Sequence, residues 1–314
     1  MKINAVIVTY NRKKLLLRCI KSLLMQSIPL DRIFIIDNAS VDGTSSFLIK
    51  NGVIEHEKNG NAKKMDRTLI HYIRLELNTG GAGGFATGIT LADQDVPDFM
   101  WIMDDDGFPS VKCLERLLDL TGEFDYIVPV SLDTEKKDCL TWFMRDREKN
   151  WTRSYTLLRS SFSGKVSSYA VPFNGLLMSR RLLDAVAPPK KEMFIWGDDF
   201  EHQYRCQKQG FKTVTALDAV FFHPADKAKH PKIFFNRIPV NYTESKLRFT
   251  CLIRNSTYNY WHHKGKYYIV AKFLIYTWFF LVEKKLALKE YMYYLSCVAD
   301  GIRGDFTRHK QFLS

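Results

Sequence analysis

Apolar runs alternate with helical periodicity through the first 130 residues of the chain. INAVIVTY (3–10) is apolar at nearly every position, the pattern of a strand buried on both faces. RKKLLLRCIKSLLMQ (12–26) spaces its apolar residues three and four apart, which predicts a helix. RIFIID (32–37) reads as a second strand, and VDGTSSFLIKNG (41–52) as a helix stopped by Gly52. A polar excursion, EHEKNGNAKKMDR (55–67), precedes a third strand, LIHYIRLEL (69–77). NTGGAGGFATGITLAD (78–93) reads as a glycine-rich turn opening a helix, and FMWIMDD (99–105) as a fourth strand.

Further on, SYAVPFNGLLMSRRLLDAV (168–186) has the pattern of a strand and then a helix, DDFEHQYRCQKQGF (198–211) of a helix, and KTVTALDAVFFHP (212–224) of a strand ending at His223. From about residue 240 the periodicity is helical. Strands alternating with helices predict an α/β fold with a mixed, mainly parallel sheet, covered by helices and followed by a C-terminal helical segment. Ligands of such sheets bind beyond the carboxyl ends of the strands. Four of those ends are polar: Thr9, Tyr10 and Asn11; Asp37 and Asn38; Asn78 and the glycines after it; and Asp104, Asp105 and Asp106.

Charge divides the chain at about residue 226. Residues 227–314 hold 16 Lys/Arg against 5 Asp/Glu, a net of +11 out of the whole chain's +12, leaving +1 for residues 1–226. Two regions are therefore expected, 1–226 and a basic, aromatic-rich helical region 227–314. The positive charges are interleaved with apolar stretches such as KYYIVAKFLIYTWFFLVEKK, whose 16 residues from Tyr267 to Val282 fall short of the ~20 needed to span a bilayer. That pattern suits either a helix lying on anionic headgroups or a basic bundle packed on the first region. No nucleic-acid-binding signature accompanies the charge. Six cysteines without metal-binding or paired spacing fit reduced thiols in a cytoplasmic protein, and the N-terminus lacks the pattern of a signal peptide.

The three carboxylates Asp104 to Asp106 emerge together from an apolar strand, so something positive is expected beside them. A hard divalent cation with oxygen ligands would offset their repulsion and carry bound phosphates. Alternatively, Asp106 caps the helix that starts near Ser110. The glycines 80, 81, 83 and 84 would let the backbone approach a phosphate, or serve only as a flexible turn. Asp198 and Asp199 open a helix after Trp196; capping accounts for one, whereas two beside an apolar wall suit an acid tuned for general-base work. His223 is either structural or a metal ligand.

In order, VIVTYNR, IIDNASVDGT, NTGGAGGF, WIMDDDGFP, FNGLLMSRRLL, WGDDFEHQYRCQKQGF and DAVFFHP resemble the motif series of inverting family 2 glycosyltransferases with the GT-A (Rossmann-like) fold. Within that family the glycine-rich turn, the triple Asp and the W-x-D-D pattern with a later His are most similar to bacterial galactofuranosyltransferases. The resemblance implies that Thr9, Tyr10, Asn11, Arg12, Asp37 and Asn38 hold the nucleotide. It places diphosphate and sugar against Asn78, Gly80, Gly81, Gly83, Gly84 and Phe85, a Mn²⁺ or Mg²⁺ ion on Asp104, Asp106 and His223, and the donor sugar against Asp105. Asp199 matches the general base, with Asp198 contacting the acceptor and Trp196 and Asn174 lining its pocket.

The implied reaction is metal-dependent transfer of galactofuranose from UDP-galactofuranose to a hydroxyl of a lipid-linked cell-surface glycan, such as an O-antigen, capsule or cell-wall polysaccharide. The implied location is the inner face of the plasma membrane, peripherally attached to anionic lipid. The chain lacks the long N-terminal β domain and extended C-terminal region of the galactofuranosyl polymerases, which points to single additions. A rhamnosyltransferase using dTDP-rhamnose is the nearest alternative, and a non-catalytic carbohydrate- or nucleic-acid-binding protein the alternative of another class.

Overall fold

A computed structural model gives the fold and describes residues 1–56, 62–167, 173–225, 231–234 and 237–313. The middle of the polar excursion and the start of the stretch expected as a strand from Ser168 lie outside the described residues, as do residues at the expected 226/227 boundary. The chain forms two compact units, Met1–Pro189 with Arg205–Asp226, and Lys190–Tyr204 with Lys227–Ser314. Residues 190–204 thus pack with the C-terminal region.

The first unit is built on one sheet. Its early elements are β1 (Ile3–Thr9), α1 (Lys13–Leu24), β2 (Arg32–Asp37), α2 (Thr44–Lys50), β3 (Ala62–Met65), β4 (Thr68–Arg74), α3 (Gly80–Asp93) and β5 (Phe99–Asp104). There follow β6 (Phe108–Pro109), α4 (Cys113–Leu118), β7 (Tyr126–Asp133), β8 (Cys139–Arg145), β9 (Trp151–Ser154), α5 (Tyr155–Ser161) and β10 (Lys165–Ser167). β11 (Asn174–Ser179), α6 (Arg180–Ala185) and β12 (Thr213–His223) complete the series, while α7 (Asp198–Lys208) begins in the second unit and ends in the first.

The sheet order is β10-β12-β7-β11-β5-β1-β2-β4-β3, with β6 paired to β12 and β8 to β7 and β9. β4, β2, β1 and β5 run parallel, and their registers align the ends, Thr9 opposite Asp37, Asp37 opposite Arg74 and Val8 opposite Asp104. Strand order reverses about β1, so the crevice beyond β1 and β5 is the topological switch point where such sheets bind ligands. β11 enters antiparallel beside β5 with Asn174 opposite Met103, and β12 ends with Phe222 opposite Phe108. The acidic turn, Asn174 and His223 are thereby carried to one rim.

The glycine-rich segment differs from the expected flexible turn: Gly80 to Gly88 lie inside helix α3. Its glycines are a packing device. A Cβ on Gly84 would stand 2.5 Å from Val8 Cγ1, and one on Gly88 would stand 2.4 Å from Val6 Cγ1 and 2.9 Å from Ile36 Cγ1. The helix lies directly on β1 and β2 because it has no side chains there. Several strands were not legible either, among them β3 within the polar excursion, β7 in the middle of the sheet, and the hairpin β8–β9, where Cys139 opposes Ser154 and Arg145 opposes Trp151.

The second unit is helical, as the periodicity predicts, with α8 (Lys246–Asn259), α9 (Tyr267–Trp278), α10 (Leu288–Arg303) and a short ribbon, β13 (Lys232–Ile233) with β14 (Ile238–Pro239). Its core is aromatic: Phe249, Tyr276, Phe279, Phe280 and Tyr294 pack with Ile253 and Cys297. Among the described residues, no helix is long and apolar enough to cross a membrane.

Gly88→Ala should cost about 1–3 kcal/mol, because the packed strands cannot yield the space its methyl needs. Gly81→Ala, where a Cβ meets nothing within 4 Å, should gain up to about 1 kcal/mol through helix propensity. Urea denaturation of the two variants checks the pair; equal effects would contradict the packing role.

Candidate active site

The acidic turn is anchored from below by Trp101, fully buried in β5, whose Nε1–H donates to the Gly175 carbonyl at 2.8 Å. Beyond it the three carboxylates part. Asp105 turns inward and is only 2% exposed; Thr9 Oγ1 donates to its Oδ2 at 2.5 Å and Arg12 Nη1 to its Oδ1 at 3.2 Å. Its carboxyl therefore lies inside the rim, not against solvent where a donor sugar was expected to meet it. Asp106 takes a stronger ion pair from the same Nη1, at 2.6 Å, while Arg18 donates to the Asp106 carbonyl and stacks on Phe108 at 4.3 Å. The positive charge that the acidic run demands is thus supplied in part by Arg12.

Burial pushes the Asp105 carboxyl up to about 6 against the opposing pull of Thr9 and Arg12. For Asp106 burial works the same way, but His223 and then Arg12 outweigh it and hold that carboxyl below the usual range. His223 Nε2 stands 3.2 Å from Asp106 Oδ1, an oxygen that is buried without a hydrogen-bond partner. His223 Nδ1 contacts the Pro224 carbonyl at 2.8 Å. A carbonyl only accepts, so Nδ1 carries the hydrogen; Nε2 faces Asp106, donating to it when the ring is charged and turning a lone pair toward it when the ring is neutral. Two electron-pair donors this close suit a cation with nitrogen and oxygen ligands, and on that observation the residues fit a divalent metal. Asp104, half-buried at the end of β5, does not complete a cluster: among the described residues no group of three or more His, Cys, Asp or Glu is placed to hold a metal ion.

The neighbouring strand ends are braced from within. Asp37 is 1% exposed; its Oδ1 accepts from Ser40 N at 2.8 Å and its Oδ2 from the Tyr72 hydroxyl at 2.5 Å. Asn38, also buried, accepts from Thr79 N at 2.8 Å and donates to the Gly80 carbonyl at 2.7 Å. Asn78 Oδ1 accepts from Gly80 N at 2.9 Å, and Phe85 packs edge-on to Phe173 beneath the sheet. Asn11 sits at φ 55° and accepts from Val41 N at 2.7 Å. Tyr10 is exposed, and Asn174 is buried with an unpartnered Oδ1. Beside these ends lies a cavity of about 600 Å³ lined by residues that include Ser40, Val41, Thr44, Arg74 and Glu76. The sequence reading missed Arg74 and Glu76 because a strand's polar end residues look like any surface charge.

In the second unit the acid pair follows a contorted turn. Phe194, at φ 68° and ψ −72°, centres a γ-turn closed by Ile195 N donating to the Met193 carbonyl at 2.9 Å. Trp196 follows at φ 62° and Gly197 at φ 89°. Conformations of this kind cost of order 1–3 kcal/mol for each non-glycine residue and persist where the surroundings enforce them. The turn leaves Trp196 exposed, Asp198 buried and Asp199 half-buried at the first positions of α7. Burial, then the charge of Asp199, raises the Asp198 carboxyl well above its ordinary value. Burial raises Asp199 to about 6, moderated by amides at the helix start, including Phe200 N at 2.6 Å from its Oδ1. Both carboxyls are thus raised, and above about pH 6 Asp199 is ionised and able to accept a proton.

A sheet with its switch point at an acidic turn, and an acid pair opening a helix, define a GT-A glycosyltransferase fold. The model for glycosyl transferase family 2 matches residues 5–185, and the chain belongs to that family. It is 27% identical over 288 residues to galactofuranosyltransferase GlfT1 of Mycolicibacterium smegmatis, covering 90% of each chain. It is also 27% identical to GlfT1 of Mycobacterium tuberculosis, covering 90% of this chain and 89% of that one. Among solved structures it resembles S. aureus TarS 1-349 with a TM-score of 0.57 at 14% identity, covering 96% of this chain and 81% of that one. Mannosyltransferase PcManGT from Pyrobaculum calidifontis, in complex with GDP-Man and Mn²⁺, gives a TM-score of 0.51 at 15% identity over 82% of this chain and 62% of that one. These structural likenesses are likenesses of fold.

Asp105 gives a test of the rim's electrostatics. Its folded pKa lies above its unfolded value, so the native state binds more protons between about pH 4 and 6 and is destabilised as pH rises through that window. In metal-free protein, the melting temperature of Asp105→Asn relative to wild type should therefore rise from pH 4 to pH 6 and level off above. A gap that stays flat, or shrinks, would contradict the burial of an ionisable group there.

Proposed function

We propose that the protein is an inverting galactofuranosyltransferase that moves galactofuranose from UDP-galactofuranose to a hydroxyl of a lipid-linked glycan. The observation that carries this reading is the approach of His223 Nε2 to the buried Asp106 Oδ1, 3.2 Å apart at the switch point of the sheet. The likeness to GlfT1 over 90% of the chain supports the choice of sugar.

Asp106 and His223, with Asp104 adjoining, would hold Mn²⁺ or Mg²⁺, which when bound acts as a Lewis acid on the diphosphate and offsets the charge of the leaving group. Arg12 stands beside Asp106 as a fixed positive charge for the same phosphates. Asp105 orients Thr9 and Arg12 from behind. Asp37 and Asn38, occupied by their own hydrogen bonds, shape the backbone against which the nucleoside lies, and Tyr10 and Asn11 complete it. In α3 the first turn, at Gly80 and Gly81, is assigned to the diphosphate, whereas Gly83 and Gly84 serve the packing that sets the helix there. In the second unit Trp196 meets the acceptor beside the acid pair, and in the first the buried Asn174, with its unpartnered Oδ1, is also assigned to the acceptor. Asp199, ionised, removes the proton from the acceptor hydroxyl as that oxygen bonds to the anomeric carbon and the bond to phosphate breaks on the opposite face. Asp198, whose carboxyl burial raises well above its ordinary value, contacts the acceptor beside it.

The second unit carries the membrane contact in this reading. Tyr267, Val270, Leu274 and Trp278 are spaced along one line of α9 and are 64%, 60%, 62% and 38% exposed. Lys264 and Lys266 stand at one end of that line and Lys284 and Lys285 at the other, as suits a helix lying in anionic headgroups at the inner face of a membrane.

A panel of nucleotide sugars, including UDP-galactofuranose and dTDP-rhamnose, assayed with and without Mn²⁺, tests the donor; metal-dependent turnover of UDP-galactofuranose alone is expected, and preference for dTDP-rhamnose would replace the sugar. Asp199→Asn should lose ~10²- to 10⁴-fold in kcat with UDP binding intact. In the wild type, kcat/KM should fall as pH drops through about 6, where Asp199 takes up its proton. Near wild-type turnover in Asp199→Asn would remove it from the base role. In flotation assays the protein should rise with anionic vesicles at low salt, and Leu274→Glu should stay behind; binding unaffected by that change would place the contact elsewhere.

A further inference from the structure

The turn that presents Trp196 and the acid pair is held by side chains of α8 far away in sequence. Asn255 is 1% exposed, and its Nδ2 lies 2.9 Å from the Met193 carbonyl, 3.0 Å from that of Ile195 and 2.7 Å from that of Trp196. Its two N–H groups are thus shared among three carbonyls of a strained turn. The amide cannot rotate end for end, because Arg254 Nε donates to its Oδ1 at 2.9 Å. Arg254, fully buried, adds a bond from Nη2 to the Met193 carbonyl at 3.0 Å. One helical turn further on, Asn259 Nδ2 donates to the Gly197 carbonyl at 2.8 Å. The fit admits no side chain at 197, where φ is 89° and a Cβ would stand 3.3 Å from Asn259 Nδ2 and 3.4 Å from Asn255 Cβ.

We propose that Asn255, seconded by Asn259, is a positioning residue that fixes the left-handed turn 193–197 and with it the direction of Trp196 and the carboxylates of Asp198 and Asp199. A core-filling role would need bulk at this position. What the geometry uses is donors: every carbonyl from Met193 to Gly197 except that of Phe194 points at α8 and is met by an amide or guanidinium N–H. Without them the turn would relax toward ordinary φ values, and the helix start carrying the acid pair would move with it. Displacements of about 1 Å in a catalytic group typically cost ~10²-fold in rate.

The kinetic part of this inference rests on Asp199 being the base, so the test reads conformation separately. Asn255→Asp keeps the size of the side chain and its acceptor for Arg254 but removes both donors. In protein labelled with 5-fluorotryptophan, with the Trp196 line assigned by Trp196→Phe, Asn255→Asp should shift or broaden that line and leave the lines of the other five tryptophans in place. kcat should drop about 10²-fold, with the Kd for UDP unchanged. Asn259→Ala, which removes one bond only, should shift the same line less and serves if Asn255→Asp does not fold. An unmoved Trp196 line in a folded variant overturns the proposal whatever the rate does. A moved line with full kcat upholds the clamp and instead removes the 196–199 segment from catalysis.

Discussion

Three adjacent carboxylates at the end of a buried strand repel one another, and the first unit is organised around how that repulsion is relieved. Asp105 turns into the protein and is met by Thr9 and Arg12; Asp106 turns the other way and is met by Arg12 and His223. Each partner comes from a different part of the chain: the end of β1, the residue that follows it into α1, and the end of β12. They converge because β1 neighbours β5 in the sheet and β12 returns through β6 to the residues just past the acidic turn. The topology of the sheet is therefore also the means by which its charge is balanced, and Asp106 Oδ1, which His223 approaches, marks where further positive charge belongs.

The second unit stores its tension in the backbone. Positive φ at Phe194, Trp196 and Gly197 turns the carbonyls toward α8 and delivers two carboxylates to the start of α7. There, burial raises both pKa values against the restraint of the backbone amides at the helix start, and the charge of Asp199 raises Asp198 further.

Much of this was legible from residue pattern alone. The parallel strands β1, β2 and β5 announce themselves as apolar runs because both of their faces are covered, β4 alternates because only one of its faces is buried, and each ends in a polar residue at the rim. The glycine-rich segment misled because glycine signals freedom to bend in a sequence, whereas in α3 it provides absence of bulk against Val6, Val8 and Ile36. Polar strand-end residues were recognised, but not that Asp37, Asn38 and Asp105 would be occupied from within; that depends on which partners the fold brings near. Asn255 and Asn259 left no trace beyond two asparagines four apart in a helix, and their partners lie about sixty positions away.

The central claim is that the orphaned oxygen of Asp106 and the Nε2 of His223 share one divalent ion. Crystals grown with Mn²⁺ and UDP, measured at the manganese absorption edge, test it most directly. The account predicts an anomalous peak bonded to both atoms and to phosphate oxygens of the nucleotide. Bound UDP with no such peak, or with the ion held by other side chains, would contradict it.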